Sequence, residues 1–134
     1  MIATILCLVL GDSIAKALAA TQPQCESVAT NGANSDQVAA AAPPDRPYAR
    51  VIVSVGSNDR GHSRLPENLA FIRARYPAAE FIWIVPRKPV PGGTVAGFAR
   101  HHHDLTVMLA DFPSHDGTHP LDYRAVASRL PDRG

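Results

Sequence analysis

The apolar run Ile2–Leu10 stops abruptly at Gly11-Asp12-Ser13, and Ile14–Ala20 then continues in alanine-rich, helix-compatible sequence. A run of this kind reads as a parallel strand buried on both faces and leading directly into a helix. The turn between them carries a serine. In open α/β sheets the C-terminal ends of the strands are where ligands bind, so Ser13 falls at a chemically favoured position.

The same grammar recurs along the chain. Glu26–Thr30 reads as a short second strand, giving way to Asn31-Gly32-Ala33-Asn34-Ser35, where Ser35 or Asp36 is expected to cap a small helix over Gln37–Ala42. Val51–Val55, rich in β-branched residues, is a third buried strand ending in Gly56-Ser57-Asn58-Asp59. A helix follows, with Pro66 near its first turn and Leu65, Leu69, Ile72 and Tyr76 on one face. Phe81–Val85 is a fourth strand, Pro86–Gly93 a loop and Thr94–Arg100 a short helix. Leu105–Leu109 is a fifth strand, Ala110–His119 an irregular loop, and Tyr123, Val126, Ala127 and Leu130 mark a last amphipathic helix. Strands alternating with helices imply an α/β fold, a parallel sheet with both faces covered. Right-handed crossovers then gather Ser13, Gly32, Asn58 and the Asp116–His119 loop at one sheet edge. The 134 residues suffice for one domain, residues 1–134, with a real core.

These residue types suit acyl transfer. A serine hydroxyl needs an adjacent base to act as a nucleophile, and His119 is the candidate. Asp116, three residues earlier, is placed to orient the imidazole if the loop turns tightly, and Gly117 eases that turn. The Ser13 and Gly32 N–H groups and the Asn58 amide are candidate donors for an oxyanion.

Gly11-Asp12-Ser13-Ile14, Thr30-Asn31-Gly32-Ala33-Asn34, Gly56-Ser57-Asn58-Asp59 and Asp116-Gly117-Thr118-His119-Pro120 resemble, in order, the four sequence blocks of the SGNH (GDSL-type) hydrolases. The resemblance spans nearly the whole chain. It implies a flavodoxin-like three-layer α/β/α sandwich with a parallel five-stranded sheet of order 2-1-3-4-5. It also implies ester hydrolysis through an acyl-enzyme on Ser13, with no metal or cofactor. Ser13, Gly32, Asn58 and His119 match the four signature positions, and Asp116 the third member of the triad. The segment between Ser13 and Gly32 is shorter than is usual in that family, which makes this a minimal member. Few aromatics and no long lid segment favour a small acyl group on an exposed substrate, such as an O-acetyl carbohydrate. The alternative is a catalytically impaired flavodoxin-like module that binds carbohydrate or phosphate at the same cleft.

Other features read more plainly. Asp12, Arg60, His62, Arg87 and His115 flank the blocks and are candidate substrate contacts, although Asp12 also suits a helix cap. Ser57 has no base placed for it, and Trp83 belongs to the core. His101-His102-His103 cannot all face one ion from regular structure and reads as solvated loop. A net charge of +1 without basic clusters speaks against nucleic acid. The first apolar run lacks a basic leader and is too short for a membrane span, so a cytoplasmic location is expected. Cys7 and Cys25 fall in predicted strands and are expected to be two buried free thiols. A disulfide would require those strands to be neighbours with suitable Cβ geometry.

Overall fold

The computed structural model describes residues 6–44, 46–61 and 63–131. The predicted first strand is seen from Leu6 onward; its Ile2–Ile5 portion lies outside the described residues. Five parallel strands form one sheet: β1 (Leu6–Gly11), β2 (Glu26–Ala29), β3 (Tyr48–Ser54), β4 (Glu80–Val85) and β5 (Leu105–Met108). Their order is β2-β1-β3-β4-β5, as the resemblance implied. Between them run α1 (Ser13–Ala19), α2 (Ser35–Ala41), α3 (Leu65–Arg75) and α4 (Pro89–His101), and α5 (Tyr123–Ala127) follows β5.

Alternation along the strands builds two cores. Leu8, Leu10, Val51, Val53, Phe81, Trp83 and Val85 face one side and pack under α2, α3 and α4. Val9, Ile52, Ile82, Ile84 and Val107 face the other and pack under α1 and α5. Successive side chains of a strand point to opposite faces, so strands apolar throughout require helices on both sides. The result is a three-layer α/β/α sandwich. Trp83 is fully buried, and its indole N–H donates to Asp104, which also accepts two hydrogen bonds from Arg73.

Four expectations need correction. Cys7 and Cys25 are joined in a disulfide, not free, because β1 and β2 are adjacent and the two Cα atoms lie 4.7 Å apart. Helix α4 starts at Pro89 rather than Thr94. Its prolines occupy the first turn, where a missing N–H costs nothing. Gly92 is required there, since a Cβ would lie 2.5 Å from the Pro86 carbonyl oxygen. The cap of α2 is Asn34, not Ser35 or Asp36. It shares a capping box with Gln37, each side chain bonding the other's backbone N–H. Last, β5 ends at Met108, and Leu109–Asp111 turns into a 3-10 helix.

Candidate active site

Gly11 is where β1 becomes α1. Its φ is +149°, and a Cβ there would sit 1.9 Å from the Ser54 carbonyl oxygen, so only glycine fits. The close approach allows a double clasp between the ends of β1 and β3. Asp12 N–H donates to Ser54 O at 3.1 Å, and Ser54 Oγ–H donates to Asp12 Oδ1 at 2.9 Å. The same Oδ1 accepts from the Ile14 and Ala15 N–H groups and caps α1. Asp12 is fully buried, so it is unable to meet substrate, and its assignment as a substrate contact gives way to that of a cap. Its Oδ2 is buried and has no hydrogen-bond partner among the described residues. Burial pushes the Asp12 carboxyl above its ordinary pKa, against the hydrogen bonds from Ser54, Ala15 and Ile14.

The cap leaves Ser13 at the first position of α1, partly exposed, with its Oγ 2.8 Å from His119 Nε2. The two residues are 106 positions apart in sequence. His119 Nδ1–H donates to Asp116 Oδ2 at 2.7 Å. Asp116 Oδ1 meanwhile accepts the N–H groups of Thr118 and His119, at 2.8 and 2.7 Å. Gly117, with φ of +76°, supplies the left-handed step of this turn. Ser114 Oγ bonds the turn at both ends, donating to Asp116 Oδ1 and accepting from Gly117 N–H.

The electrostatics follow from these bonds. The His119 backbone N–H, then its ring N–H, then the Thr118 N–H hold the Asp116 carboxyl well below the usual carboxylate range. An ionised Asp116 accepts only, so the proton of a neutral His119 resides on Nδ1, and Nε2 keeps a lone pair toward Ser13. The series is therefore set to take a proton from the serine hydroxyl.

The loop carrying Asp116 and His119 is anchored from below. Arg87 Nη1 donates to the carbonyls of Phe112 and Leu109, at 2.7 and 3.2 Å, and Leu121 N–H donates to Pro113 O. Arg87, expected as a substrate contact, has its guanidinium in this clamp. Arg60 and His115 are exposed in strand-end loops. His62 lies outside the described residues. Ser57 is buried, and its carbonyl accepts from Lys88 Nζ. His101 ends α4 and His102 follows it as the cap, both exposed.

Across from Ser13, Gly32 is exposed in the turn after β2, and Thr30 N–H ties that turn to Gly11 O at 3.0 Å. Asn58 donates one amide N–H to Ala33 O at 2.9 Å, which leaves its second N–H uncommitted by that bond. Asp59 accepts from the N–H and Oγ–H of Ser35 and from Ser63 Oγ–H, so the β2 and β3 loops are tied together. Two clefts flank the β3–α3 loop. One, of about 280 Å³, is polar, lined by Asn34, Asp36, Asn58, Asp59, Arg60 and Arg64. The other, of about 320 Å³, runs toward α4 and has Leu65, Pro66, Val90 and Pro91 in its wall.

Ser54, Ser114 and the clamping role of Arg87 were missed in the sequence. Only Ser114 carries a signal there, standing two residues before a turn-forming Asp-Gly.

No protein-family model and no curated protein sequence matches the chain. Solved structures do. A GDSL-like lipase from Bacteroides thetaiotaomicron superposes with a TM-score of 0.63 at 14% identity, over 95% of this chain and 89% of that one. Phospholipase A1 from Streptomyces albidoflavus superposes with a TM-score of 0.60 at 17% identity, over 88% of this chain and 93% of that one. The fold of this chain is that of the SGNH (GDSL-type) hydrolases.

Proposed function

We propose that the chain is a serine ester hydrolase acting through an acyl-enzyme on Ser13. The observation that carries this reading is the continuous series Ser13 Oγ, His119 Nε2, His119 Nδ1, Asp116 Oδ2, with both steps at hydrogen-bond length. As Ser13 Oγ attacks the ester carbonyl, His119 Nε2 takes its proton, and Asp116 stabilises the imidazolium. The oxyanion is met by the Ser13 and Gly32 N–H groups and the second Asn58 N–H. His119 then returns the proton to the departing alcohol. A water molecule, deprotonated by the same nitrogen, attacks the acyl-enzyme and frees the acid and Ser13.

The substrate reading is a small acyl ester of a polar alcohol, with O-acetyl carbohydrate foremost. The polar cleft beside Asn58 supports it. Asn34, Asp36, Arg60 and Arg64 offer donors and acceptors of the kind a sugar ring uses. Purified protein should hydrolyse p-nitrophenyl acetate, and Ser13→Ala should lower that rate about 10³-fold or more. Parental activity in Ser13→Ala would sink the nucleophile. Faster turnover of an octanoyl than of an acetyl ester would move the reading from small acyl groups to longer chains.

A further inference from the structure

The β1–β2 ladder runs from Leu8 opposite Glu26 to Gly11 opposite Ala29. Cys7 and Cys25 are therefore the next rung outward, and their disulfide closes the ladder at the end remote from the site. Strand β2 has four residues, none fully buried, and among the described residues it lies at the sheet edge beside β1. Beyond its far end lies Gly32. The loop closed by the disulfide, across a sequence separation of 18, also contains Gly11, Asp12, Ser13 and all of α1. Helix α1 has seven residues, well below the roughly 12–15 an isolated helix needs in water. Both the serine and the Gly32 turn thus hang on elements too short to hold themselves, and one covalent link fixes both.

We propose that the Cys7–Cys25 disulfide is a positioning brace for the site, and that the protein works in an oxidising compartment. The brace holds β2 on β1 and so keeps the Gly32 N–H in register with Ser13. The inference rests on the esterase reading for its effect on activity, but not for the bond itself. A reducing cytosol keeps such pairs open, so the brace points away from the cytoplasmic location expected from sequence. Opening proceeds by thiol–disulfide exchange with a dithiol reductant. A thiolate of the reductant attacks Sγ of Cys25, the more exposed of the two residues, and the S–S bond breaks. Cys7 leaves as thiolate and takes a proton. The second thiol of the reductant then displaces Cys25, giving two cysteine thiols and the oxidised reductant.

The experiment compares protein made in an oxidising compartment with the same protein after dithiothreitol treatment. Thiol titration in denaturant should find no free thiol before treatment and two after; two before treatment would overturn the proposal. At a temperature where circular dichroism shows both forms folded, a fluorophosphonate should label Ser13 about tenfold or more slowly in the reduced form. Reoxidation should restore the rate. Equal rates would overturn the brace, as would a loss of labelling that only tracks loss of fold at every temperature. The double variant Cys7→Ala/Cys25→Ala should label at the reduced rate and ignore dithiothreitol. Ser13 unlabelled in both forms would count against the esterase reading alone. Amide exchange over Glu26–Ala29 and Gly32 then decides the brace: faster exchange on reduction supports it, and unchanged exchange overturns it.

Discussion

Ser13 and His119 meet at 2.8 Å, yet the two sides of that contact are supported by opposite means. The serine side is held by burial and close packing. Gly11 fits against Ser54, Asp12 is fully enclosed, and Ile14, Ala15 and Leu18 are in the core. The histidine side is held by local hydrogen bonds in water. The side chains of His119 and Asp116 are 43% and 56% exposed, and a network of Ser114, Asp116 and backbone N–H groups sets the turn. A buried support answers to volume and desolvation, whereas an exposed one answers to charge and hydrogen bonding. Damage on the first side should appear as lost stability, and on the second as lost rate.

The largest effect tests the exposed side. Asp116→Asn keeps an acceptor for the Thr118 and His119 N–H groups but removes the charge that fixes the His119 tautomer. kcat on p-nitrophenyl acetate should fall about 10³–10⁴-fold, while the melting temperature stays within a few degrees. Activity within tenfold of the parent would show that Asp116 does not orient the base. Next comes Gly11→Ala on the buried side. The new Cβ must displace the Ser54 carbonyl, and stability should fall by about 4 kcal/mol or more, read from urea unfolding. An unchanged urea midpoint would break the claim that close packing at Gly11 supports the serine side.

The smallest effect is a pH slope. Burial raises the Asp12 carboxyl above its ordinary value of 3.8, so the folded chain keeps a proton that the unfolded chain has released. Stability therefore falls as pH rises through the window that opens near 3.8 and closes at the folded pKa. Asp12→Asn retains an acceptor for Ile14, Ala15 and Ser54 and carries no charge. It should match the parent within about 1 kcal/mol below the window and gain on it above. Two stability curves that run parallel across that range would show that Asp12 does not titrate with folding.

The sheet was legible because β1, β3 and β4 are buried on both faces, which leaves the apolar runs almost uninterrupted. The blocks that end them stood out for the same reason: Gly11, Asn58 and His119 break hydrophobic rhythm where the chain turns. What escaped depended on neighbours distant in sequence. Whether Cys7 meets Cys25 turns on which strands are adjacent, not on their spacing. Arg87 is an ordinary loop arginine until Leu109 and Phe112 turn their carbonyls toward it. The start of α4 was hidden by Pro89, Pro91, Gly92 and Gly93, which read as loop although a first helical turn accepts proline. Asp12 was ambiguous because one residue type serves both as cap and as substrate contact, and only burial separates the two.

The separation of 106 positions from Ser13 to His119 also sets a clock for synthesis. A ribosome adding about 5–20 residues per second takes roughly 5–20 s to pass from one codon to the other. Through that interval the nascent chain carries its serine without its histidine. On the proposed reading, the site is incomplete while the chain is being made and is assembled only as the Asp116–His119 loop arrives.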